Sequence, residues 1–135
     1  MLTSFGEKLL DYLLRGSTLT LPSTWYLILD VSLTGDAYTE PTYSSYARAG
    51  VPRGTGSWVS AVGAGQSVSS VDVIWPDVDA GYTANEVVRR VFISNQATPS
   101  GELLLDVVPL TASVTLVDGG TPTLAGGTLI IDAGE

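Results

Sequence analysis

The stretch Trp25-Tyr26-Leu27-Ile28-Leu29-Asp30-Val31-Ser32-Leu33 decides the fold class. Trp25, Leu27, Leu29, Val31 and Leu33 occupy alternate positions, with Asp30 and Ser32 between the later ones. A period of two puts the first set on one side of an extended strand and the second set on the other. Outward from it, residues 46–51, 57–62, 68–75, 87–94, 102–108, 112–117 and 128–132 read as further strands. Turn formers separate them: Thr34-Gly35-Asp36, Gly54-Thr55-Gly56, Gly63-Ala64-Gly65, Thr98-Pro99-Ser100-Gly101 and Asp118-Gly119-Gly120. Glycine supplies positive φ, proline fixes its own φ, and Asp and Ser bond back to their own backbone. Short strands at regular spacing predict a mainly β fold: one antiparallel sandwich or barrel-like domain.

Before the first strand the period is helical. Leu2, Phe5, Leu9, Leu10, Leu13 and Leu14 share one broad apolar side. Ser4 with Glu7 has capping-box spacing, Arg15 suits the negative helix end, and Gly16 suits the C′ position. The expected organisation is a single domain over residues 1–135, with a helix in 1–16 and the β domain in 17–135. So short a helix is marginal alone. It is expected to dock by its Leu9, Leu10 and Leu13 face, on its own sandwich or on a neighbouring chain.

Composition narrows the function classes. The 135 residues contain neither Cys nor His, which removes the thiolate ligand and the commonest general base. Fourteen acidic residues against six basic ones give a net charge of −8, and phosphate binding wants the opposite sign. With 44% hydrophobic and only 15% charged residues, the chain is too apolar for disorder and is suited to meeting other proteins. No apolar run reaches membrane-spanning length, so no membrane partner is expected. The N-terminus lacks the pattern of a secretory signal, so a protein made in a cytoplasm is expected.

Candidate chemistry is sparse. Asp77 and Asp79, with Asn85 and Glu86 beyond, offer oxygen ligands but not the spacing of an EF-hand, so no metal and no cofactor are expected. Lys8 is the one lysine that could activate a serine, and it lies on the helix. The glycine pairs are not followed by helices and form no phosphate cradle. Trp25 and Trp75 read as core. Tyr38, Tyr43 and Tyr46 gather in and beside the longest loop, where tyrosine suits an interface. Arg48 and Arg53 stand close by as candidates for pairing with a partner's carboxylates, or, for Arg48, with carboxylates of its own domain. The expected interface residues are therefore Tyr38, Tyr43, Tyr46, Arg48, Arg53, Leu9 and Leu13. An alternative is a carbohydrate-binding or hydrolytic module using Trp58, Tyr38 and nearby carboxylates.

Taken in order, the segments resemble a family of small bacteriophage structural proteins, often labelled tail fibre or minor tail proteins, some similar to capsid decoration (cement) proteins. The resemblance rests on the helix of residues 5–15 and on Leu21-Pro22-Ser23-Thr24-Trp25-Tyr26-Leu27. It continues through Thr39-Glu40-Pro41, Ser45-Tyr46-Ala47-Arg48, Ile74-Trp75-Pro76, Val91-Phe92-Ile93 and Gly101-Glu102-Leu103-Leu104. It ends with Asp118-Gly119-Gly120-Thr121-Pro122 and Ala125-Gly126-Gly127-Thr128-Leu129. Where relatives carry glycine before the Tyr-Ala-Arg element, this chain has Pro41-Thr42-Tyr43-Ser44-Ser45. The resemblance implies a virion structural role without catalysis or small-molecule substrate. The expected position is the capsid surface, bound to the major capsid protein as a homo-oligomer, with a trimer as the expected form. The alternative is a minor tail or fibre-associated protein.

Overall fold

The computed structural model describes residues 2–32, 35, 37–60 and 65–132. Leu33, Thr34, Asp36, Ala61, Val62, Gly63 and Ala64, to which the sequence assigns strand or turn positions, lie outside the described residues. The fold is mainly β with one N-terminal helix, and every strand pair is antiparallel.

Helix α1 spans Thr3–Arg15. Leu2 stands in the N-cap position without a side-chain cap, so the Ser4–Glu7 capping box does not form. Starting two residues earlier than expected puts Ser4 inside the first turn, where its backbone is already helical. Leu2 itself is tied to the sheet, its N–H donating to Leu105 O at 2.9 Å. The other end is as expected: Gly16 takes the left-handed conformation (φ 71°) that a side chain would disfavour.

The strands are β1 Thr24–Asp30, β2 Ala49–Pro52, β3 Trp58–Ser60, β4 Gln66–Ser69, β5 Val73–Ile74, β6 Val87–Ser94, β7 Leu104–Thr115, β8 Thr123–Leu124 and β9 Ile130–Asp132. They form a four-stranded sheet β2-β1-β6-β7, a three-stranded sheet β3-β4-β9 and a two-stranded ribbon β5-β8. Several strand expectations change, and of the run 46–51 only Ala49 onward is strand. The run 68–75 is not one strand but β4 and β5, in different sheets. Ser69 Oγ donates to Val71 O, and Asp72 Oδ1 accepts the Gly126 N–H at 2.8 Å, so local polar bonds turn the chain between them. Gly126 is required there, because a Cβ would lie 2.8 Å from Ser70 O. Conversely, 102–108 and 112–117 join as the single strand β7. Its register jumps from Arg90↔Pro109 to Val88↔Val114, leaving Arg89 alone opposite residues 110–113. That bulge accommodates Pro109, which has no ladder N–H to give.

The alternation in β1 sets the two faces of the main sheet. Trp25, Leu27 and Leu29 join Val91 and Ile93 from β6 in the core, with Trp75, Val73, Val78, Leu116 and Leu129 from the smaller sheets and loops. Ile28 pairs with Phe92 and Asp30 with Arg90, on the opposite face. Ile28, Asp30 and Phe92 are also fully buried, because residues 37–48 fold over them. β2 pairs with β1 only from Thr24 to Leu27. Beyond that point the loop replaces it, with Leu29 N–H donating to Tyr46 Oη and Val31 N–H to Thr39 O. The edge groups of β1 are thereby satisfied without a fifth strand.

The helix packs on β7 by Phe5, which meets Trp25 edge-on at 6.1 Å, and by Leu9. Leu10, Leu13 and Leu14 are solvent-facing, Leu13 at 62% exposure, so the docking face expected from sequence is only partly right. From Phe5 to Leu14 the apolar arc turns about 180° at roughly 100° per residue, wider than one contact can cover. Leu13→Ala is therefore expected to change stability by no more than about 0.5 kcal/mol, whereas Phe5→Ala should cost about 3–5 kcal/mol. Chemical denaturation of both variants checks the contrast, and equal losses would contradict this docking.

Candidate functional site

The loop that carries Tyr38, Tyr43, Tyr46 and Arg48 turns inward. Arg48 is buried, with its side chain 2% exposed. It pairs with Glu40 at 2.9 Å and with Glu102 at 2.7 Å, and it donates to Gln96 O at 3.0 Å and to Tyr38 Oη at 2.8 Å. Tyr38 packs on Phe92 at 5.4 Å and donates to Glu102. Tyr43 donates to Pro76 O at 3.0 Å and meets Tyr46 and Tyr82 edge-on. Pairing of Arg48 with a partner's carboxylates is thus replaced by pairing within its own chain. Tyr43 and Arg48 have no surface to offer, and Tyr38 and Tyr46 spend their hydroxyls on the domain's own bonds. The physical reason is the second face of the main sheet, which has buried polar groups to satisfy and receives the loop as its cover.

A second ion pair works beside the first. Asp30, fully buried, accepts from Arg90 and from the N–H groups of Ser32 and Thr39. Burial pushes its carboxyl up, but those hydrogen bonds outweigh it and leave the carboxyl below the ordinary range. Glu102 and Glu86 follow the same balance: burial raises them, and bonds from Tyr38 and Arg48, or from Tyr82 and Thr42, win. Bonds from Ser44 and Ser45 hold Asp79 at about 2. Burial pushes Tyr38 and Tyr43 the other way, each to about 12, with Glu102 or Asp79 adding to it.

A lowered carboxyl contributes stability that is present above its unfolded value and lost as pH falls through its folded one. A raised tyrosine contributes stability that is present below its unfolded value of 10.0 and lost as pH rises toward 12. Tm is therefore expected to be flat from about pH 5 to about pH 9 and to fall on both sides. Thermal melts across pH check this, and an unchanged Tm at pH 3 would contradict it.

The remaining sequence candidates separate. Asp79 is taken up by Ser44 and Ser45, Asp77 by Thr121, and Glu86 by Thr42 and Tyr82. These carboxylates organise loops. Lys8 lies exposed on α1. Trp58 and Tyr38 lie on opposite faces of the main sheet, so the platform expected of a sugar-binding module does not assemble.

Two outward features are apolar. Between the main sheet and β3-β4-β9 lies a cleft of about 350 Å³, walled by Trp25, Trp58, Leu105 and Ile131. Arg53, Gly54, Thr55 and Ser67 complete its lining. Trp58 Nε1 is buried there without a hydrogen-bond partner. Beside it stands α1 with its uncovered leucines, tied down by Leu2 and Phe5. Sequence reading placed Arg53 and Leu13 at an interface, and both are indeed on the outside. It missed the cleft, whose walls come from four strands distant in sequence. The one available signal was Trp58, an aromatic on a strand too short to bury it.

Among the described residues no group of three or more Asp, Glu, His or Cys could hold a metal ion. A search of curated proteins found no match. A family model described as Podophage GP4 fiber I protein gp80 matches residues 1–132, which takes in α1 and all nine strands. With the match running nearly end to end, the chain belongs to that family and is a structural protein of a phage virion.

Proposed function

We propose that the protein is a fibre-associated module of the virion, which works by holding neighbouring protein chains and performs no catalysis. The observation that carries this reading is the match over residues 1–132 to a family whose description names a fibre. The structure supports it in two ways. The polar clusters at Arg48, Asp30 and Asp79 are closed within the domain by its own ion pairs and hydrogen bonds. The outward features, Leu10, Leu13, Leu14 and the Trp58 cleft, are those of a protein-contact surface. The net charge of −8 is compatible with any outward position and does not separate tail from shell.

Immunogold labelling of intact particles tests the position. Label confined to the tail is the expected result. Label spread over the shell would replace this reading with that of a capsid decoration protein bound to the major capsid protein.

A further inference from the structure

We propose that the leucine face of α1 in one copy of this chain seats in the Trp25–Trp58 cleft of a second copy. The cleft holds donors without acceptors. Trp58 Nε1–H is buried and has no acceptor among the described residues. The Arg53 guanidinium, at the same cleft, makes no ion pair or hydrogen bond with the described residues, although the chain has more than twice as many acids as bases. The occupant must therefore bring apolar bulk together with acceptor oxygens and negative charge.

The C-terminal half of α1 has that complement. Leu10, Leu13 and Leu14 sit at i, i+3 and i+4, form one exposed ridge, and suit a recess walled by two indoles and two aliphatic side chains. Because the chain turns off at Gly16 and Ser17 N–H goes back to Asp11 O, the Leu13, Leu14 and Arg15 carbonyls have no intrahelical donor. These carbonyls carry the negative end of the helix dipole, and Glu7 adds a carboxylate on the same helix, whereas Asp11 is already paired with Arg15 at 3.2 Å. The last-turn carbonyls and the Glu7 carboxylate on one surface thus match the Trp58 N–H and the Arg53 guanidinium on the other.

A helix cannot fill the cleft of its own chain. Leu2 and Phe5 pin its first turn against Leu105 and Trp25, which leaves the leucine ridge in solvent. The contact is consequently between copies and heterologous, helix to cleft. Repeated, it closes a ring when its rotation allows and otherwise extends as a filament. This inference deepens the assembly reading above, but its test reads self-association alone, so its failure leaves the virion position untouched.

Sedimentation of the purified full chain over a concentration series provides the test, with Leu13→Glu altering the helix and Arg53→Glu altering the cleft. Both residues are exposed, so circular dichroism and Tm should stay unchanged. Each variant is expected to weaken self-association by at least about tenfold. Mixing the two should restore a heterodimer that neither variant forms alone, since one intact helix then meets one intact cleft. Trp58→Phe, which keeps the wall and removes the N–H, should weaken association less than Arg53→Glu does. A protein that stays monomeric at millimolar concentration, association indifferent to both charge variants, or a mixture that fails to pair would each overturn the proposal.

Discussion

Arg48→Ala is expected to destabilise the domain by about 3–5 kcal/mol, the usual cost of breaking a buried ion pair by removing one partner. The substitution leaves Glu40 and Glu102 facing each other across an emptied site, with side chains only 22% and 14% exposed. It also strips the Gln96 carbonyl and the Tyr38 hydroxyl of a donor. Arg48→Lys should recover only part of the loss. A lysine is a point charge and cannot reach the same spread of acceptors that the guanidinium does. Urea denaturation gives the comparison directly. A loss below about 1 kcal/mol for Arg48→Ala would mean that the cluster is no more than a surface ion pair.

Trp75→Ala should be as severe, at about 3–5 kcal/mol for truncating a buried aromatic. Trp75 is 1% exposed and sits where β5 meets the main sheet. Its indole N–H donates to Leu27 O at 3.0 Å, so the ribbon β5-β8 is bonded to β1 by a side chain where no ladder joins them. Trp75→Phe keeps most of the volume and removes the donor. Its expected cost of about 1–3 kcal/mol isolates the unmet carbonyl. If Trp75→Phe were as damaging as Trp75→Ala, the hydrogen bond rather than the packing would dominate.

The parts of this fold that sequence reveals are those with local causes. β1 follows from the alternation of Trp25, Leu27 and Leu29. The end of α1 follows from Gly16, and β6 follows from its run of β-branched residues. The two-residue strands β5 and β8 escape, because a period cannot be read from two residues and their pairing joins positions about fifty apart. The tyrosine loop was misread for a similar reason. Its composition is that of an interface, and it does form one, but with its own sheet. The partners that decide this are remote: Glu102 lies 54 residues from Arg48, and Arg90 lies 60 from Asp30. A cation in an acidic chain has many possible partners, and only the register of β1 on β6 selects among them. The helix shows the opposite error. Its apolar arc is plain in the sequence, but which third of the arc meets β7 depends on where Leu2 bonds to Leu105.

A density map of the intact virion, with this fold fitted at side-chain-bearing resolution, tests the central claim most directly. The predicted result is density for the domain at a fibre of the tail, with the Trp58 cleft filled by a helix from a neighbouring copy and the residue 37–48 loop facing inward on its own sheet. Absence of the domain from the particle, or a particle in which Tyr43 and Arg48 leave their own sheet to contact another chain, would contradict it.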